Sequence, residues 1–263
     1  MRKRARKRAG EILVSRYLPR ATLAAVREAL VAKRKPEIRG MFGRIAHRYD
    51  LLNRMLSLGC DRGWRRAVAA RVAAAEPGRL LDACTGTGDL ALGQDAVAAI
   101  YGCDFSLPML ALARAKAAAS ATRPGWFAAD VLRLPVADGA LDAVTVGFGI
   151  RNFEDLEAGL AELARVLRPR GLLVILEFST PRGRLAPALR WWVRRVPPLV
   201  GRLLSGDDEA YRYLAASVAT FPDGGELCSR LAAAGFTGVR ATTLTGGVAT
   251  LYEGTRADDG EER

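Results

Sequence analysis

Arg79-Leu80-Leu81-Asp82-Ala83-Cys84-Thr85-Gly86-Thr87-Gly88-Asp89 is the stretch on which the fold turns. A short apolar run closes on an acid and passes directly into a glycine-containing turn, the pattern of a buried strand delivering a ligand loop at its carboxyl end. Downstream, β-like runs at Val97 to Cys103, Trp126 to Ala129, Leu141 to Phe148 and Leu172 to Phe178 alternate with helical stretches. Ser106 to Ala119 opens with a capping serine and Pro108, and Glu154 to Leu167 sets Leu156, Leu160, Leu163 and Leu167 on one face. Such alternation predicts an α/β, doubly wound, mostly parallel sheet. Upstream, Met41, Phe42 and Ile45 form one helical stripe, and Trp64, Val68 and Val72 another behind Asp61 as N-cap. At the far end a helix near Glu226 to Ala233 precedes two β-like runs, Gly238 to Thr243 and Val248 to Glu253. They are joined through Thr245-Gly246-Gly247, so an antiparallel hairpin closes the domain.

The loop itself narrows the ligand. Glycine at 86 and 88 lets the backbone approach a bound group closely. Gly86-x-Gly88-x-x-Ala91 also fits a dinucleotide fingerprint. Asp89 directly after Gly88, with Asp82 nearby, opposes a pyrophosphate at that position, whereas a cofactor carrying an ammonium and a sulfonium, S-adenosylmethionine, meets no such repulsion. Asp104 lies 18 residues beyond Gly86 at the end of the second strand, close to the ~20-residue offset at which a carboxylate accepts ribose hydroxyls. Asp130 ends the third strand and is placed to accept from an adenine amino group, with Val131 as an apolar wall. A single acid of this kind is often a turn residue. Three at successive strand ends point to an adenosine site.

Composition bounds the rest. The 263 residues carry a net charge of +12, but residues 1–35 hold 12 Lys or Arg against two Glu, leaving the remainder near neutral. A near-neutral domain without a basic stripe gives little support to nucleic-acid binding. Cys60, Cys84, Cys103 and Cys228 form no CxxC pair and the chain has one His, so neither a metal site nor a disulfide framework is expected. No apolar run approaches a membrane span or a secretory signal, which makes the cytoplasm the expected location. The expected organisation is a basic extension over 1–38, one domain over 39–255 and a solvated tail over 256–263.

Further segments carry a resemblance. Met41-Phe-Gly-Arg-Ile-Ala-His-Arg-Tyr-Asp-Leu-Leu-Asn53, Leu56-Ser-Leu-Gly59 with Trp64, Gly86-Thr-Gly-Asp89 and Asp104-Phe-Ser with Met109-Leu110 are four of them. Gly147-Phe-Gly-Ile-Arg-Asn152, Arg165-Val-Leu-Arg-Pro169 and Leu176-Glu-Phe-Ser179 complete the set. From about residue 39 to 254 the chain resembles the menaquinone and ubiquinone biosynthesis C-methyltransferases. The resemblance implies a seven-stranded sheet of the class I S-adenosylmethionine-dependent methyltransferase type. It also implies a cofactor site lined by Thr87, Asp104, Asp130, Val131 and Gly147, beside Asp82, Gly86 and Gly88 of the loop, and a prenylated hydroquinone as acceptor. The sequence departs from that pattern in a short helix after Gly88, in Gly147 where serine is frequent, and in Arg170 where glycine is usual.

Methylating an aromatic carbon requires an electron-rich ring, so the acceptor is expected in its reduced form. Negative charge builds on the neighbouring oxygen, and a fixed cation helps. Arg151 and Asn152 are the expected donors to that oxygen, with Arg151 as electrostatic stabiliser and Tyr49 closing the pocket. The competing expectation has Arg151 and Asn152 capping the helix from Glu154, and His47 as a surface residue. The stripe Leu185, Leu189, Trp192, Val193 and Val196, opposite Arg190, Arg194 and Arg195, suits a lid or a helix lying on a membrane, and Arg2 to Arg8 suits an anionic surface. The leading expectation is conversion of demethylmenaquinol to menaquinol. A small-molecule O- or N-methyltransferase, and less so a nucleic-acid-binding or modifying protein, are the alternatives.

Overall fold

The computed structural model describes residues 40, 50, 53–54, 57, 59–181, 186–187, 217–218 and 220–258. Tyr49, His47, the Met41 stripe, the extension over 1–38, most of the Leu185–Val196 stripe and residues 259–263 lie outside the described residues.

Helix α1 (Asp61–Ala74) comes first and buries Trp64, Val68 and Val72, the stripe expected from the sequence. Its N-cap is Cys60, not Asp61; the Asp61 carboxylate instead accepts from Ser57 Oγ at 2.9 Å and pairs with Arg65 at 2.6 Å. Then follow β1 (Arg79–Ala83), β2 (Ala99–Asp104), α2 (Leu107–Ala118), β3 (Gly125–Ala128) and β4 (Leu141–Gly147). After these come α3 (Leu156–Val166), β5 (Leu167–Phe178), α4 (Gly225–Ala233), β6 (Phe236–Leu244) and β7 (Ala249–Arg256).

The strands form one seven-stranded sheet in the order β3-β2-β1-β4-β5-β7-β6. β1 pairs in parallel with β2 and β4, and β4 with β5; β7 is antiparallel to both β5 and β6. The chain therefore builds outward from β1 to β3 and returns to lay β4 on the other side of β1. A crevice opens where the order reverses, at the carboxyl ends of β1 and β4. β4 and β5 are covered on both faces, which is why Ala143 to Val146 and Leu173 to Leu176 are continuously buried, the latter reading as an unbroken apolar run instead of an alternating one. One cluster of core residues joins Leu81, Val144 and Ile175 to α3 and α4; the other joins Leu80, Ala143 and Val174 to α1.

Four local readings change. The helix expected after Gly88 is a single 3-10 turn, Ala91–Gly93. Ser106 does occupy the N-cap of α2, with Pro108 in the first turn, but its side chain makes no capping bond; the Asp104 carboxylate accepts its backbone N–H instead, at 2.8 Å. Helix α3 is capped by Asp155, which accepts from the Ala158 N–H at 3.0 Å, and it ends at Val166, so Leu167 opens β5. Arg256 belongs to β7 and donates to the Leu167 carbonyl, which moves the start of the expected tail past 256. The antiparallel hairpin and the turn at Thr245–Gly247 within it follow the expectation, and Arg170, where glycine is usual in the resembling family, adopts left-handed backbone (φ 62°).

Candidate functional site

A cleft lies at the topological switch, walled by Asn53 and Arg65, by Asp82 to Asp89 of the glycine loop except Ala83 and Gly88, and by Leu90, Gly147, Phe148 and Leu176. Asp82, Gly86, Thr87 and Gly147 are the expected site residues that reach it directly. Gly86 sits at φ +55°, and a Cβ added there would meet nothing within 4 Å, so the loop presents bare backbone to open space. Gly88 is different. A Cβ on it would lie 2.7 Å from Trp126 and 3.0 Å from Ala113, so its smallness serves the packing of β3 and α2 against the loop, not the approach of a ligand.

Asp82 anchors the loop from below. Its carboxylate accepts from Thr85 Oγ1 at 2.5 Å and from Thr145 Oγ1 at 2.8 Å, tying β1 to its own turn and to β4. Burial pushes this carboxyl up to about 6, against the pull of the two threonine hydroxyls. Asp104 ends β2 and accepts the Gly86 N–H at 2.9 Å, so the second strand holds the crown of the loop; burial raises its carboxyl too. Asp130 follows β3, forms a bridge with Arg133 and accepts the Leu132 N–H at 3.1 Å, while Val131 is buried in the core. Asp82, Asp104 and Asp130 all act on the Cys84 thiol, which burial and these charges lift well above its ordinary range. Of the three acids read from the strand ends, Asp82 lines the cleft and Asp104 holds its loop.

Cys84 (φ 55°) and Phe148 (φ 57°) both adopt left-handed backbone, at the ends of β1 and β4. Such strain in non-glycine residues concentrates at ligand sites. Beyond β4, Arg151 lies in a 3-10 turn (Ile150–Asn152) and is 4 % exposed. Its Nη1 donates to Glu177 Oε1 at 2.7 Å and to the Phe148 carbonyl, and its guanidinium stands 5.6 Å from the centre of the Phe178 ring. Glu177 is 1 % exposed. Neither Arg151 nor Asn152 caps α3, a role Asp155 fills. Trp64, Phe148 and Phe178 stack beside the pair, with Phe148 and Phe178 centroids 4.4 Å apart.

A polar lattice closes the side of the cleft. Lys116 Nζ contacts Asp50, Asp89 and Thr87 Oγ1, and Thr87 Oγ1 donates to Asp50 Oδ1 at 2.6 Å. Arg65 pairs with Asp61 and, at 3.2 Å, with Asp89. Asp89, read from sequence as a barrier to pyrophosphate, is therefore neutralised by two cations. The dinucleotide reading fails on a different ground: a 3-10 turn replaces the helix whose N-terminus would hold the phosphates.

These features fit S-adenosylmethionine. Bare backbone faces open space at Gly86, acids stand at the ends of β1, β2 and β3, and buried carboxylate and amide groups line the crevice. Asn53, Arg65, Lys116, Phe148 and Glu177 carried no expected role. Asn53, Phe148 and Glu177 are visible only as members of the resembling segments; Arg65 and Lys116 become neighbours of the loop only through tertiary packing. Among the described residues no cluster of His, Cys, Asp and Glu suits a metal ion, and no helix is long and apolar enough to cross a membrane.

Comparisons with known proteins agree with this geometry. Among solved structures, magnesium protoporphyrin IX methyltransferase from Synechocystis, crystallised with bound S-adenosylhomocysteine, superposes with a TM-score of 0.61 at 19% identity, covering 85% of this chain and 100% of that one. An S-adenosylmethionine-dependent methyltransferase from Thermotoga maritima gives 0.57 at 20% identity, covering 82% and 99%. At that identity they establish the fold. Sequence relatives are nearer. The demethylmenaquinone methyltransferase of Thermus thermophilus is 50% identical over 220 residues, 82% of this chain and 100% of the relative. That of Deinococcus radiodurans is 48% identical over 221 residues, 82% and 91%. A ubiquinone/menaquinone biosynthesis C-methyltransferase from Syntrophotalea carbinolica is 45% identical over 229 residues, 86% and 96%. A profile of the ubiE/COQ5 methyltransferase family matches residues 30–256, which span every described strand and the whole cleft, and the chain belongs to that family.

Proposed function

We propose that this chain methylates a ring carbon of a prenylated hydroquinone, converting demethylmenaquinol to menaquinol, with S-adenosylmethionine as methyl donor. The observation that carries the reading is the buried Arg151–Glu177 pair immediately beyond β4, next to a cleft suited to the donor, in a chain of this family. When bound, the cofactor supplies a methyl group made electrophilic by its sulfonium. Everything else falls to the protein.

Under this reading Asp104 takes the ribose hydroxyls, Asp130 and Val131 the adenine, and Thr87, Gly86 and Gly147 the chain that leads to the methyl group. The acceptor ring enters over Phe148 and Phe178, where Arg151 and Asn152 donate to the hydroxyl beside the reacting carbon. As that hydroxyl loses its proton, the guanidinium offsets the growing charge at low dielectric, where a fixed cation acts most strongly. The ring carbon then releases its hydrogen to restore aromaticity. Arg151 stays charged throughout, because guanidinium is too weak an acid to act as a base at neutral pH. Tyr49 is assigned to the mouth of this pocket. Arg2 to Arg8 and the Leu185–Val196 stripe are assigned to peripheral contact with the membrane that holds the acceptor.

The test is mass-resolved transfer from labelled S-adenosylmethionine, with chemically reduced demethylmenaquinol and the ubiquinone precursor offered side by side in detergent. Product is expected with the reduced naphthoquinol and not with its oxidised form. Arg151→Ala is expected to lower kcat by about 100-fold, the scale of losing one oxyanion-stabilising group, with cofactor affinity unchanged. Cofactor binding with transfer to neither ring would remove the quinol assignment.

A further inference from the structure

Asn53 is a residue for which neither the resemblance nor the site assignment above has a use. It is 8 % exposed, lines the cleft, and its Nδ2 has no hydrogen-bond partner. Buried amide donors are nearly always satisfied, so one left open on a cleft wall signals a missing acceptor. The position of Asn53 along the cleft says which acceptor. Asp104 and Asp130 mark where β2 and β3 would hold the nucleoside, and neither lines this cleft, whereas Asn53 lines it together with Arg65, Thr87, Asp89 and Leu90. The cleft must take the amino-acid end of the donor, a zwitterion with one ammonium and one carboxylate.

The charges in the cleft treat the two ends of that zwitterion unequally. Asp82 lines it, which suits an ammonium and not a carboxylate, while Asp89 is already paired with Lys116 and Arg65. Arg65 is the guanidinium among the lining residues, and its Nη1 already faces Asp61 and Asp89. A carboxylate entering here needs a donor that the acids have not claimed, and Asn53 Nδ2 supplies it. We infer that Asn53 recognises the α-carboxylate of the methionine moiety of S-adenosylmethionine, with Arg65 supplying the accompanying positive charge. The inference rests on the proposed cofactor. It gives Asn53 a role in holding the donor beside Asp50, which contacts Thr87 of the glycine loop.

The experiment is calorimetric titration of the full chain and its Asn53→Ala and Asn53→Asp variants with two probes: S-adenosylhomocysteine and its decarboxylated analogue, which keeps the adenosine, thioether and amine. Asn53→Ala is expected to weaken S-adenosylhomocysteine about 10-fold, the usual scale for one charge-assisted hydrogen bond, and Asn53→Asp about 100-fold as two carboxylates are forced together. Neither variant should weaken the decarboxylated analogue by more than about twofold, since that probe has no carboxylate to lose. Equal weakening of both probes would mean that Asn53 only supports the fold, and overturns the inference. So would unchanged affinity for S-adenosylhomocysteine combined with a raised KM for the quinol, which would move Asn53 to the acceptor. A wild-type chain that binds neither probe fails at the cofactor itself, a result distinct from either.

Discussion

At the level of single residues, the site is held by carboxyls that burial makes reluctant to ionise. Asp82 is the sharpest case. Its folded pKa of about 6 lies above the ordinary value of 3.8, so the folded state holds a proton that the unfolded chain has released between those values. The contribution to stability is complete below pH ~4 and is lost as pH rises through about 6, a loss on the order of 3 kcal/mol. Asp82→Asn removes this titration while keeping groups that can bond Thr85 and Thr145. Urea denaturation at pH 4.5 and 7.5 should show the wild type losing ground to the variant as pH rises; parallel curves would mean that the carboxyl ionises as easily folded as unfolded. Glu177 is held differently. Burial lifts its carboxyl, and the Arg151 guanidinium and the Arg151 and Phe178 N–H groups pull against that lift. Glu177→Gln leaves the Arg151 charge buried without its counter-charge, at a cost of about 3 kcal/mol, whereas Glu177→Gln combined with Arg151→Met should recover most of it. A double-mutant cycle in urea measures the coupling, and additive losses would show that the two side chains act independently.

Among the elements, the join between the glycine loop, β2 and β3 depends on Trp126. Its indole packs so closely that a Cβ on Gly88 would come within 2.7 Å of it and one on Gly102 within 2.4 Å. Gly88→Ala should destabilise the protein by about 2–3 kcal/mol, combining a left-handed alanine with overpacking. Adding Trp126→Leu should relieve the packing share and leave the backbone share, so thermal denaturation of the three variants separates the two; no relief would place the whole cost in the backbone. This contact also marks the limit of what the sequence makes legible. Strand alternation, the α1 stripe, the closing hairpin and the acids at three strand ends are local patterns with fixed periods, and they can be read directly. The Gly86-x-Gly88 pair reads as one motif, yet one glycine faces the cleft and the other faces Trp126. Likewise the Arg151–Glu177 pair spans 26 residues, and left-handed Cys84 and Phe148 carry no compositional mark. The helix after Gly88 shrinks to one turn because the ten residues between Gly88 and β2, with Gly93 among them, leave no room for more.

For the molecule as a whole, topology and charge meet a substrate problem. The strand order brings the cleft to one edge of the sheet, and under the proposed function, whose prenylated acceptor lives in a bilayer, that edge is the one expected to meet a lipid surface. No helix among the described residues is long and apolar enough to cross a membrane, and the proposed function assigns the chain a contact from the side. The charge distribution suits that route: residues 1–35 carry 12 basic side chains against two acidic ones, while the rest of the chain is close to neutral. Each basic residue held near an anionic surface contributes about 1 kcal/mol, and the attraction fades over a Debye length of about 8 Å at physiological salt. Cosedimentation with vesicles should therefore be strong on phosphatidylglycerol-containing lipid and weak on phosphatidylcholine alone, and should fall steeply as salt is raised. Deleting residues 1–35 should abolish most of the anionic preference and raise KM for a long-chain quinol in vesicles, while kcat on a short-chain quinol in solution stays within about twofold, since no described cleft residue is removed. If the truncated chain keeps the full anionic preference, the extension is not the anchor. Retention that is indifferent to lipid charge and lost in Trp192→Ala would then assign the contact to the Leu185–Val196 stripe alone.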